Sequence, residues 1–379
     1  MSIRQMFPGS IVKPGFNPLA AQTPTILYNL FAWGFNPTGQ LGTSNVTYYS
    51  SPKQVGSLTN WLILSSSQYV SAAIKTDGTM WSWGRGTNGT LGLGNTTNYS
   101  SPKQIGALTT WSYLNLGGLQ AVSFGLAVKT DGTLWSWGRN NNGQLGLGDT
   151  VDRSSPTQIG SLTNWLRVTG GQYHSTGLKT DGTIWSWGRN SAGQLGDGTT
   201  VSKSSPVQIG SLTNWLSISS SGYNTLAVKT DGSLWAWGAG NLGALGTGNT
   251  INRSSPVQVG ALTNWLNISC GFYTGFSVKT DGTLWSWGYN ASGQLGLGNK
   301  TYYSSPKQIG ALSTWLKVAT GYNATYAITT SGALWSWGAN DRGQLGFGNT
   351  TSYSSPKQVG SSTTWTTLGP GQRMVLALG

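Results

Sequence analysis

TDGTLWSWGRNNNGQLGLGDT, residues 130–150, decides how this chain is read. Its GQLGLG run has the look of a loop that cradles a phosphate. Such a loop is normally one special site in a domain, and a helix follows it to hold the anion at its N-terminus. Here the run is not special. GQLG begins at 39, 143, 193, 293 and 343, GTLG at 89 and GALG at 243, and each copy leads into Ser-Ser-Pro rather than a helical pattern. Seven copies without a helix read as a structural turn.

The tryptophans fix the period. A Trp-Gly pair recurs at Trp33, Trp83, Trp137, Trp187, Trp237, Trp287 and Trp337, with spacings of 50, 54, 50, 50, 50 and 50. A second set lies at Trp61, Trp111, Trp165, Trp215, Trp265, Trp315 and Trp365. The remaining six, Trp81, Trp135, Trp185, Trp235, Trp285 and Trp335, open the Trp-x-Trp pattern, where Phe31 stands in the first unit. A period of this length with strand-rich units means a propeller or a solenoid.

Each unit reads as four short strands, as in WLSIS (215–219), TLAVK (225–229), LWAW (234–237) and PVQI (206–209). Thr-Asp-Gly joins the second to the third, and Asp-Gly is a strong hairpin signal. Asp77, Asp131, Asp181, Asp231 and Asp281 are therefore turn formers. Residues two apart share a strand face, so both tryptophans of Trp-x-Trp point one way. The small column Ala73, Ala127, Gly177, Ala227, Ser277 and Ala327 suits face-to-face packing of sheets. Trp83, Trp137, Trp187, Trp237, Trp287 and Trp337 are accordingly expected as core between sheets. The chain begins with ILYNLFAWG (26–34) in the place of a third strand and ends with 366–379 in the place of the first two. Pairing the two ends closes a ring and removes exposed edges. The expectation is an all-β, seven-bladed β-propeller with four-stranded blades over 25–379, preceded by an extended arm, 1–24.

Composition narrows the chemistry. Of 379 residues 8% are charged, none is Glu, and the formal charge is +13. Abundant Gly, Ser, Thr and Asn disfavour long helices. The single cysteine, Cys270, excludes an internal disulfide. The N-terminal stretch is proline-broken and lacks a signal-peptide run, and no window reaches the roughly 20 apolar residues of a membrane helix. His174 is the only histidine, and it reads as a turn residue rather than a base. Asp149, Asp152 and Asp197 lie in neighbouring loops but form no ligand pattern. No catalytic residue, metal site or cofactor is expected.

The pattern W-G-x-N-x-x-G-Q-L-G-x-G, followed by a proline strand and A-L/V-K-T-D-G, resembles the regulator-of-chromosome-condensation repeat family over about residues 25 to 379. The resemblance implies seven-bladed propellers with four-stranded blades. Members include a nucleotide-exchange factor for a small nuclear GTPase that docks on chromatin, and protein-binding modules or inhibitors. Exchange implies a wedge-like insertion in one blade; here the only change of length is four residues near Leu119 to Ser123. The family usually carries a His before the second strand. Only His174 fits, the column otherwise holding Val70, Phe124, Asn224, Thr274, Ala324 and Met374.

Charge suggests a face. The loop after Trp-Gly leads to Tyr49 with Lys53, Tyr99 with Lys103, Tyr303 with Lys307 and Tyr353 with Lys357, and in the other three units to Arg153, Lys203 and Arg253. Arg85, Arg139 and Arg189 follow Trp-Gly in three successive units. On the opposite rim Lys75, Lys129, Lys179, Lys229 and Lys279 each have an Asp two residues on. The long-loop face is thus the expected interaction face, since Tyr and Arg are favoured at interfaces. The first expectation is a non-enzymatic scaffold for assembly or adhesion, leaning to a virion or extracellular protein of tail or capsid. It would bind other subunits through residues 1–24, or an acidic surface or glycan. Nucleic acid is not the expected partner, and neither is membrane insertion. The alternatives are a cellular adaptor with exchange-like or chromatin-binding behaviour, and a propeller lectin.

Overall fold

The chain reverses at the five Thr-Asp-Gly turns and at Thr330-Ser331-Gly332, and with the pairing of its two ends it forms seven sheets of four antiparallel strands. The computed structural model describes residues 28–118 and 122–379. The expected arm and Leu119–Ala121 of the insertion lie outside the described residues. Blade 4 shows the plan: Trp215–Ser221, Asn224–Lys229, Leu234–Gly238 and Arg253–Gln258, paired in that order. Blades 1 to 6 begin at Trp61, Trp111, Trp165, Trp215, Trp265 and Trp315. The first strands surround the axis and the fourth lie outermost. The second and third pair in the register the Asp-Gly turn dictates, with Ala227 opposite Trp235 and Val228 opposite Leu234.

The fourth strand begins three residues earlier than its sequence suggests. Lys203–Gln208 takes in the whole Ser-Ser-Pro segment, and its register shifts between the Ser186 and Gly188 pairings. Proline has no N–H to donate, but an outermost strand has one side without a partner, so it is tolerated there.

Blade 7 is composite. Leu30–Gly34 pairs with Met374–Leu378 on one side and Tyr49–Gln54 on the other, while Thr367–Pro370 takes the axial place. Asn29 and Gly379 exchange backbone hydrogen bonds at 3.1 and 3.2 Å, finishing the clasp. The ring is closed as expected.

Packing runs between sheets. The second tryptophans of Trp-x-Trp, with Trp33, are fully buried. Trp137 joins Trp111 of its own blade to Val70, Ile74 and Leu91 of the blade before. The Trp187 indole donates to the Gln144 carbonyl at 2.9 Å, inside the preceding GQLG turn. Gly146, the last residue of that turn, has φ +74°, and a Cβ there would come within 2.7 Å of Trp187 Nε1. The repeated glycine turn is thus a seat for the neighbouring blade's tryptophan.

Around the axis the first strands are joined by side chains. Ser65 Oγ accepts from Leu116 N, Asn115 Oδ1 from Gly170 N, Thr169 Oγ1 from Ser220 N and Ser219 Oγ from Cys270 N, all at 2.8–3.0 Å. Each bond crosses from one blade to the next. Inside them lies a polar cavity of about 190 Å³ edged by Ser66, Ser220, Ser269, Thr320 and Gln372.

Candidate functional site

The two rims differ in what they do with their charges. On the hairpin rim, Lys75, Lys179, Lys229 and Lys279 are buried and Lys129 is half-buried. (Lys129 is the most open of them.) Each ammonium lies over two indoles: Lys179 Nζ is 3.8 Å from the Trp185 centroid and 4.8 Å from that of Trp165. Burial lowers the Lys179 pKa, and Asp181 opposes that shift. The Asp is occupied locally. Asp181 Oδ1 accepts from Thr183 N and Oγ1 at 2.9 and 2.7 Å, and Thr183 Oγ1 accepts from Trp185 Nε1 at 3.0 Å. These cations are held by cation–π attraction, worth about 0.5–2 kcal/mol each. They serve the fold and are poor candidates for a partner.

The outermost strands hold most of the sequence-chosen residues. Tyr49, Tyr99, Tyr303 and Tyr353 begin these strands, and Lys53, Lys103, Lys307 and Lys357 lie four residues on, exposed at the ring's circumference. Each Lys leans over its own Tyr, from 4.2 Å for Lys357 to 6.0 Å for Lys53. Arg153, Lys203 and Arg253 open the equivalent strands, and Arg153 pairs with Asp149. These residues lie on an edge facing outward, apart from the three remaining arginines.

Arg85, Arg139 and Arg189 lie on the loop rim, and the structure places them beside a column that sequence reasoning missed. The residue after Trp-Gly donates its N–H to the carbonyl of the residue before the second strand. Arg85 N reaches Tyr69 O, Arg139 N Ser123 O, Arg189 N Tyr173 O, Tyr289 N Tyr273 O and Phe35 N Arg373 O, at 2.8–3.1 Å. Two columns thereby stand side by side around the mouth of the axial cavity. Arg85 lies 5.4 Å over Tyr69; Arg189 lies 5.4 Å from Tyr173 and 5.7 Å from Tyr223. Tyr223 stacks on Tyr273 at 6.2 Å, and Phe272 on Tyr322 at 4.3 Å. Most of these rings are half-buried. Burial raises the Tyr223 and Tyr322 hydroxyl pKa values, so both stay neutral donors.

The remaining candidates are structural. His174 opens a second strand rather than forming a turn, because its column faces inward between blades. It is fully buried, its Nε2 lies 3.1 Å from Thr225 Oγ1, and burial lowers its pKa to about 3. Burial raises the Cys270 thiol to about 12. Asp152 accepts from Asn140 N and Asn88 Nδ2, and Asp197 from Asn190 Nδ2 and Thr199. Among the described residues no group of three or more His, Cys, Asp or Glu could hold a metal ion. Two equivalent grooves between blades, about 350 Å³ each, are walled by Leu147, Leu162, Trp185 and Pro206 and by Leu297, Leu312, Trp335 and Pro356. They are mostly apolar and offer a sugar few hydrogen-bonding groups. What the loop rim can do chemically is bind: it offers planar cations, flat rings and hydroxyl donors.

Comparison with known proteins follows the same architecture. A family model for the Regulator of chromosome condensation (RCC1) repeat matches residues 29–74, 77–118, 131–178, 181–228, 231–277, 281–328 and 331–378. Protein RCC2 of Homo sapiens is 44% identical over 55 residues, 14% of this chain and 10% of that protein. Ultraviolet-B receptor UVR8 of Arabidopsis thaliana is 62% identical over 34 residues, 9% of this chain and 8% of that protein. The matched stretch thus spans a tenth or less of each of these relatives. Prp20p of Saccharomyces cerevisiae superposes with a TM-score of 0.83 at 18% identity, covering 93% of this chain and 91% of that one. Human WBSCR16 gives 0.82 at 20% identity, covering 93% and 98%. At such identities the likeness is one of fold.

Proposed function

Because the chain belongs to the regulator of chromosome condensation (RCC1) repeat family, we propose that it is a non-catalytic docking module whose loop rim receives a protein partner. The observation that carries this is the double column of Arg and Tyr around the axial mouth. Interfaces favour Tyr and Arg, and hot spots are built from them. Rings already packed on one another and on guanidinium groups lose little freedom on binding, which lowers the cost of association. Protein partners are in keeping with the fold: Prp20p, which shares it, has binding properties to Gsp1p and histones. The lean to a virion component draws on residues 1–24, which lie outside the described residues, and nothing on the loop rim adds to it.

The test compares the wild-type chain with a Tyr173→Ala/Tyr223→Ala variant in the native source, by size fractionation and cross-linking. Wild type should migrate with a partner protein at fixed stoichiometry, and the variant should migrate free while melting at the same temperature. A wild-type chain that migrates free, or a variant that keeps its partner, overturns the proposal.

A further inference from the structure

The three arginines of the loop rim are held ready for a planar anion that this chain does not supply. Arg85 Nε donates to Thr87 Oγ1 at 2.6 Å while its plane lies over Tyr69. Arg189 Nε donates to Ser191 Oγ at 3.0 Å while its guanidinium lies against both Tyr173 and Tyr223, whose rings also touch each other. In both, Nε is held by a hydroxyl and an aromatic ring lies against the guanidinium. Arg139, in the blade between them, reaches Asn88 Oδ1 at 3.5 Å, and its buried Nε has no partner.

The chain's own carboxylates are engaged elsewhere. Five of the nine acids lie in the hairpins of the opposite rim. Asp149 pairs with Arg153, and Asp341 with Arg342 and Arg373. Asp152 meets Arg139 only through Asn88, and Asp197 caps its own loop. Among the described residues, none of Arg85, Arg139 and Arg189 has a carboxylate at ion-pair distance. A guanidinium fork matches a carboxylate with two parallel hydrogen bonds.

We infer that this arc, one arginine in each of three successive blades, binds an acidic protein segment that lies along Tyr69, Tyr173 and Tyr223. The inference rests on the docking reading above and names the chemistry of the partner. Its one-sidedness favours a short acidic segment over a polyanion. Blades 6 and 7 answer with Arg342 and Arg373 already paired to Asp341, and the matching columns there hold Ala339 and Phe35. A nucleic-acid strand tracking the rim would meet no continuous basic path.

The probe is a short fluorescein-labelled poly-Asp peptide, followed by anisotropy against the intact chain. Binding should weaken as salt rises from about 0.05 to about 0.5 M, as exposed charge pairs do. Arg85→Lys/Arg189→Lys keeps the charge but removes the fork, and should weaken binding about tenfold, the loss of a charge-assisted hydrogen bond. Lys53→Gln/Lys357→Gln, on the circumference, should leave it within about twofold of wild type, since exposed lysines contribute little. Melting curves of both variants should match wild type.

Equal binding by the Arg→Lys variant overturns the inference. So does tighter binding of a single-stranded oligonucleotide of equal charge, or salt-sensitive self-association of the chain without peptide. The native-source experiment separates the two claims. If wild type and the Arg→Lys variant both keep the partner and poly-Asp does not displace it, docking stands and acidic recognition falls. If wild type has no partner there, docking itself falls.

Discussion

His174 stands in a column of Val, Phe, Asn, Thr, Ala and Met, and it is the one member that titrates. Its folded pKa is lowered by burial to about 3 from an ordinary 6.5, so it stays neutral while the unfolded chain takes up a proton. The unfolded state therefore binds more protons below pH 6.5, and stability falls as pH drops through that window. Between pH 7 and about pH 4.5 this residue alone should cost about 2–3 kcal/mol. His174→Asn, which copies Asn224 of the next blade, should flatten the curve in denaturant titrations at the two pH values. An equal slope in both proteins would show that His174 is hydrated. Cys270 gives a second readout. With its thiol pushed up to about 12 by burial, it should resist Ellman's reagent in the native chain and react only at the rate of unfolding. Rapid native labelling would show that the strand ends near the axis open locally.

The hairpin between the second and third strands is a unit of four linked parts: Asp, Thr, Trp and Lys. In blade 2, Thr133 donates to Asp131 and accepts from Trp135 Nε1, while Lys129 lies 3.7 Å over the Trp135 centroid. Hydrogen bonds from Thr133 hold the Asp131 carboxyl below its ordinary range. A depressed carboxyl stabilises the fold above its unfolded pKa and loses that contribution as pH falls. Thr133→Val should cost about 1–2 kcal/mol near neutral pH, with the deficit shrinking in acid. A deficit independent of pH would mean that the Asp131 bond contributes nothing. This unit was only half legible in the sequence. Asp-Gly announced the turn, but the Lys two residues before the Asp suggested a pair with it. The strand end turns the ammonium onto the indoles instead. The loop-rim band was hidden for a related reason. Trp-Gly and the turn before the second strand lie about fifteen residues apart, and each column alone reads as variable loop. Counting outward from the hairpin would have joined them. Val70 pairs with Gly84, so Tyr69 and Arg85 are the next pair along. The expected fourth strand, PVQI, opens at its proline and omits Lys203 and the two serines, which the structure adds to it; nothing in Ser-Ser marks the start of an outermost strand.

At the scale of the whole molecule, the fifty-residue period makes the blade number and the closure readable in the sequence alone. The period counts the blades, and two fragments that complete each other define the join. What the period could not supply was the ladder of side-chain bonds about the axis, since Ser65, Asn115, Thr169 and Ser219 look like ordinary polar residues in a Ser-rich chain. Removing residues 366–379 takes away the first two strands of blade 7, including the buried Met374, Leu376 and Leu378. That truncation should abolish a single cooperative melt, and a wild-type transition would refute the dependence of the ring on its clasp. The same clasp has a kinetic side. Leu30–Gly34 recognises Met374–Leu378 by a pairing that six other blades nearly repeat, and the two strands lie at opposite ends of the chain. During refolding, the end of one molecule meets the complementary end of another as readily as its own once chains are crowded. Domain-swapped dimers and longer chains of exchanged strands are the expected by-products, rising with protein concentration and trapped once each ring has shut.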